Sequence, residues 1–163
     1  MALTDDEIIR ARRVLDLVSP TEVIRWASNQ LAGGRGEPGL VDLAATYDHS
    51  ADVVDRLLDQ LLSASGLERP DEGRAALFVA YAIARDIVNN NVAASQGAHQ
   101  IAFLNRWQQD DPGIWGFVGL ADDWDDVPHL DWDRRQSLKA RLEQETRMSA
   151  IELVEGFESR SVR

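Results

Sequence analysis

The chain announces its own helix starts. Thr4-x-x-Glu7 and Ser19-Pro20-Thr21-Glu22 both have the form of a capping box, in which the hydroxyl accepts the N3 amide and the N3 carboxylate returns to the N-cap amide. Each is framed by an apolar pair in the hydrophobic-staple positions, Leu3 with Ile8 and Val18 with Val23, and Pro20 falls at N1, where its missing N–H costs nothing. No stretch alternates apolar and polar residues as a half-buried strand would, and no fixed-period repeat, linker or low-complexity tract breaks the pattern. The expectation is an all-α fold: one domain over residues 1–163, a bundle of seven or eight helices with no sheet.

The periodicity places the elements. A first helix over 5–18 buries Ile8, Ala11, Leu15 and Val18; a second buries Val23, Ala27 and Leu31 and stops at Gly33-Gly34. A short helix over 40–45 follows. Ser50 caps a fourth that ends at Gly66, with Val53, Val54, Leu57, Leu58, Leu61 and Leu62 on one side and Asp52, Asp55 and Asp59 on the opposite, solvated face. The most apolar stretch, 71–89, reads as the central buried helix, closed by Asn89-Asn90-Asn91 because Asn tolerates the left-handed conformation of a C-cap. Another helix runs through Ile101, Leu104 and Trp107. Asp111-Pro112 opens a seventh whose Gly113, Gly116 and Gly119 predict a close helix contact, centred on Gly116. Asp131 caps the last helix, which reaches about Glu158 and carries a possible second start at Ser149-x-x-Glu152.

Composition then narrows function. With 163 residues and no cysteine, the chain needs no disulfide and has no thiolate chemistry, which fits the cytoplasm. Its first residues are acidic where a secretory signal would be basic, and no apolar run reaches the roughly 20 residues of a membrane span, so no membrane association is expected. A net charge of −11 with no basic patch opposes phosphate backbones and argues against nucleic acid as a partner. Lys139 is the sole lysine among 17 basic residues, a composition that suits a GC-rich genome. Nucleophile-elbow, Walker, dinucleotide and zinc-protease motifs are lacking, and His49, His99 and His129 have no i, i+4 partner, so no catalytic residue, metal ligand or cofactor is expected. The Asp52-x-x-Asp55 and Glu152-x-x-Glu155 pairs keep one alternative open, a metal-dependent hydrolase of the all-α nucleotide pyrophosphohydrolase type, although solvated faces account for both.

One segment breaks the local rules. Residues 110–133 hold eight Asp and no Lys or Arg, which is eight of the eleven net negative charges. Asp122, Asp123, Asp125 and Asp126 fall at the predicted C-terminal end of the seventh helix, where the macrodipole is already negative. Trp124 and Trp132 lie among the acids, as aromatic anchors do in interface hot spots. The candidate partner-binding residues are therefore Asp122, Asp123, Trp124, Asp125, Asp126, Asp131, Trp132 and Asp133, and the expected partner is a basic protein; self-association stays open.

Two stretches, 19–27 (Ser19-Pro20-Thr21-Glu22-Val23-Ile24-Arg25-Trp26-Ala27) and 87–101 (from Ile87-Val88-Asn89-Asn90-Asn91 to Gly97-Ala98-His99-Gln100-Ile101), resemble segments of uncharacterised small, acidic, all-helical bacterial proteins, some of them similar to immunity proteins encoded beside polymorphic toxins. Asn90 or Asn91 and Ala94 stand where that pattern has Gly and Pro. The resemblance covers about residues 19–105. It implies a non-enzymatic protein-binding module, an immunity-type inhibitor of a basic toxin, and brings no catalytic residues with it.

Overall fold

The computed structural model describes residues 3–160 and is all-helical, with eight α-helices and two 3₁₀ turns among the described residues. The chain divides into two compact units, one of residues 3–75 and one from residue 76 onward. None of its described helices is long and apolar enough to cross a membrane.

The first unit holds α1 (Asp5–Val14), α2 (Pro20–Ala32), α3 (Pro38–Ala45) and α4 (Ala51–Ala64). Both capping boxes form with both arms: Thr4 N–H donates to Glu7 at 2.9 Å, Ser19 N–H to Glu22 at 2.7 Å, and each hydroxyl accepts the N3 amide at 3.3 Å. Ile9, Val23, Ala27, Leu40, Leu43, Val54, Leu58 and Leu61 make the core, with Trp26 and Leu57 packed against it. Gly39 brings α3 onto α4, since a Cβ there would stand 3.1–3.3 Å from Leu61.

Three expectations are corrected in this unit. α1 stops at Val14 rather than 18, because Asp16 takes a left-handed φ of 55° and Leu17 N–H returns to Arg12 O at 2.8 Å, a Schellman closure. The inward residue is consequently Ile9, with Ile8 only half-buried. Ser50 does stand at the N-cap of α4, but its hydroxyl makes no cap bond; Asp48 Oδ1 instead accepts Ser50 N–H at 2.9 Å.

α5 (Glu72–Val88) starts at the end of the first unit and runs into the second, which continues with α6 (Ala94–Phe103), a 3₁₀ turn at Leu104–Arg106, α7 (Pro112–Asp126), a 3₁₀ turn at Val127–His129, and α8 (Trp132–Arg160). Asn90 closes α5 at φ 60°, as its type predicts. The close glycine contact lies elsewhere than expected. A Cβ at Gly97 of α6 would fall 2.5 Å from Ile87, whereas Gly116 and Gly119 face open space and only Gly113 approaches α8, with Leu153 at 3.6 Å from its Cβ position. α8 runs unbroken for 29 residues, so Ser149-x-x-Glu152 caps nothing. Its C-terminal end is held by Phe157, 4.6 Å from the Tyr81 ring, and by Tyr81 O–H donating to Glu158 at 2.8 Å.

Candidate docking surface and a buried arginine centre

The acidic segment is sorted by the helical period of α7. Asp111 is the N-cap: buried, its Oδ1 accepts Gly113 N–H at 2.9 Å and Ile114 N–H at 3.3 Å, so this acid is structural. Ile114, Phe117, Ala121 and Trp124 point inward, while Trp115, Gly116, Gly119, Asp122, Asp123, Asp125 and Asp126 are exposed. Trp124 belongs to the core rather than to any partner-facing surface. Its indole N–H donates to Thr146 Oγ1 of α8 at 3.1 Å, and Thr146 is itself fully buried, so both polar groups are satisfied in the interior. Trp132 behaves oppositely and is 69% exposed at the first turn of α8. Asp131 caps that helix through Arg134 N–H at 3.1 Å, as expected, and Asp133 is exposed.

α7 extends to Asp126, so the four clustered acids do occupy its negative end. One relief comes from α6. His99 Nε2 stands 2.9 Å from Asp125 Oδ1 and its Nδ1 2.7 Å from Ser95 O. Both neighbours only accept, so both ring nitrogens carry protons in this geometry, and the Ser95 carbonyl followed by the Asp125 carboxylate holds the imidazole pKa above its ordinary value. Asp122, Asp123, Asp126 and Asp133 pair with no basic side chain among the described residues.

A second acidic cluster has a different fate. Arg10 of α1 is fully buried, with Nη1 3.2 Å from Asp55 Oδ1 and Nε 2.7 Å from Asp59 Oδ1, while Arg13 Nε lies 3.0 Å from the same Asp55 oxygen. The Arg10–Asp59 approach is an ion pair without in-line N–H geometry, and Arg10 Nη2 has no hydrogen-bond partner. Asp59 Oδ2 meets Arg69 at 3.8 Å on the outer side. The acids expected on a solvated face are therefore counter-ions to α1, and only Asp52 of the three is exposed. A further ion pair ties the loop after α2 to α1: Arg35 clamps the buried Asp6 at 2.6 and 2.9 Å and also reaches Glu37 at 2.9 Å, which raises the Arg35 pKa.

No family model, curated protein or solved structure matches the chain. What its residues can do is read from geometry alone. Asp55 has its oxygens within 3.4 Å of two guanidinium groups, and among the described residues no three His, Asp or Glu side chains converge to hold a metal ion. Sequence reasoning missed Arg10 and the Asp125–His99 pair. Arg10 lies beside the inward Ile9 and Ala11, and an arginine flanked so closely by core positions is the signal available in the sequence. Asp125 and His99 are 26 residues apart and share no local pattern.

Proposed function

We propose that this chain is a cytoplasmic, non-enzymatic protein-binding module, an immunity-type inhibitor that covers a basic surface of its partner with the corner running from the end of α7 to the start of α8. The observation that carries this reading is the set of exposed acids, Asp122, Asp123, Asp126 and Asp133, with no basic side chain of this chain set against them, beside the exposed ring of Trp132. Unpaired carboxylates steer an encounter with a basic protein, and an exposed indole supplies the area buried on contact. Asp125 adds to this set to the extent that His99 does not offset its charge, and Asp131 adds to it at the head of α8. Of the Asp52/Asp55 and Glu152/Glu155 pairs that motivate the hydrolase alternative, Asp55 is engaged by Arg10 and Arg13, which weighs against the first pair as a metal site.

The test is affinity capture from the source cell, with the wild type and a variant carrying Lys at 122, 123, 125 and 126 run side by side at low and high salt. A basic protein retained by the wild type, lost by the variant and released by salt is the expected result. Equal retention by both forms, insensitive to salt, would sink the docking role of this corner.

A further inference from the structure

Two features with structural readings in the sequence, the Gly113/Gly116/Gly119 series and the Ser149-x-x-Glu152 spacing, face each other in the fold. Between α7 and α8 they enclose a cavity of about 300 Å³ lined by Pro112, Gly113, Gly116, Ser149, Glu152 and Leu153. It exists because Gly116 has no side chain: nothing lies within 4 Å of where its Cβ would be, although Gly113, one turn earlier, is packed against Leu153. A glycine at an exposed helix-interior position is destabilising relative to alanine, so the opening carries a stability cost with no packing return.

Its chemistry selects one kind of occupant. Pro112, Leu153 and the two glycines form apolar walls, and Ser149 supplies a hydroxyl. Glu152 is the single charged lining group and pairs with no cation among the described residues. The first amides of α7, which would otherwise favour an anion, are occupied by Asp111 Oδ1. Apolar walls ending at a carboxylate match a long methylene stem ending in a cation.

We infer that the α7–α8 cavity is a specificity pocket that receives one arginine or lysine side chain of the basic partner, its stem against Pro112 and Leu153 and its charge on Glu152. The pocket lies at the first turns of α7, at the other end of that helix from the acidic corner, and the inference rests on the reading of that corner as a docking surface for a basic protein whose contact extends along α7. The acids at the end of α7 attract a basic protein in general, while the pocket admits a single side chain.

The experiment titrates the full chain with the Nα-acetyl forms of argininamide, lysinamide and citrullinamide, the last a neutral isostere of the first, following backbone amides by NMR. The two cationic probes are expected to shift Gly113, Gly116 and Leu153 to saturation, with a Kd on the order of millimolar, the scale for ligands of this size, and citrullinamide is expected not to. Glu152→Gln weakens binding by about fivefold or more, Gly116→Leu fills the pocket and abolishes it, and Gly119→Leu, equally exposed on the same helix but outside the lining, leaves it unchanged. Equal binding of citrullinamide, or a Kd unmoved by Glu152→Gln and Gly116→Leu, overturns the pocket. The combined Asp122→Lys, Asp123→Lys, Asp125→Lys and Asp126→Lys variant separates the two ideas. Saturable argininamide shifts together with partner capture indifferent to that variant would overturn the acidic docking corner and leave the pocket standing. Charge-dependent capture without argininamide shifts would overturn the pocket alone.

Discussion

α4 and α7 each carry a group of aspartates on a face that their own apolar stripe leaves outside, yet the two groups do opposite things. On α4, Asp55 and Asp59 are partly buried and hold the guanidinium groups of Arg10 and Arg13; on α7, Asp122, Asp123 and Asp126 remain in water without a counter-ion. The difference is what the neighbouring helix brings. α1 lays two arginines along α4, whereas α6 offers α7 a single histidine. Acids that answer buried bases are part of the fold. Acids that answer nothing within the chain raise its self-repulsion and gain a use only from outside it.

The largest effects should come from the α4 side. Asp55→Asn leaves the fully buried Arg10 and the nearly buried Arg13 short of a counter-charge; because Asp59 and Asp16 stay in place, the loss should fall below the about 3–5 kcal/mol of a buried charge left wholly unpaired. Arg10→Met is expected to cost clearly less, because the carboxylates it abandons are about a third exposed and water can solvate them. Urea denaturation of both variants checks the order. A larger loss for Arg10→Met would mean that the network is organised around the acids, not the base.

The next effect splits the acidic segment itself. Thr146→Val removes the acceptor of the buried Trp124 N–H and should destabilise by about 1–3 kcal/mol, whereas Trp132→Ala, at an exposed position, should stay within about 0.5 kcal/mol. Loss of stability at Trp132 matching that at Thr146 would place that ring in the fold and remove it from the docking surface.

How much of this was legible in the sequence follows the range of the interaction. Both capping boxes, the Asn90 closure and the Asp111 and Asp131 caps rest on residues within five positions of one another, and each is formed. The periodicity carries α1 past its true end because a left-handed Asp16 ends a helix as effectively as the glycine that usually marks one. The same holds for Gly116: a glycine series shows where helices can approach, and only the packing shows that Gly97 is where they do. Of the candidate site, exposure on α7 followed from its period, which also puts Trp124 three residues beyond the inward Ala121 and so in the core. The partners of Arg10 and the two walls of the α7–α8 cavity lie some 40 positions apart; the place of Arg10 between Ile9 and Ala11 hints that it is buried, but no local pattern names what meets it.

Smaller effects belong to the exposed acids. Changing Asp122, Asp123 and Asp126 to Asn should stabilise the isolated chain by a few tenths of a kcal/mol each, since each charge opposes the end of the α7 dipole. The same triple change should slow association with a basic partner and flatten its salt dependence. Thermal melts and binding kinetics on one preparation check both, and a destabilised triple variant would show that these acids belong with Asp55 after all.

The smallest effect concerns the one cation that α6 lends to α7. His99 is held above its ordinary pKa of 6.5 by the Ser95 carbonyl and then by Asp125, with Asp122 adding to the field. A folded-state pKa raised above the unfolded one means that the protonated form is favoured by folding, so the stabilisation is complete below about pH 6.5 and disappears as pH rises through the higher folded value. The ring is nearly half exposed, so solvent screens the pair and the change in Tm across this window should be slight. His99→Gln should remove that slope and leave the remaining pH dependence in place. Neutral His99 also leaves Asp125 without its counter-charge, so association with a basic partner should strengthen modestly over the same rise in pH that weakens the fold. Opposite signs for folding and for binding across one titration are what separates an acid serving the surface from one serving the core. If both weakened together as pH rose, the His99–Asp125 pair would belong with the Arg10–Asp55 pair, as part of the fold.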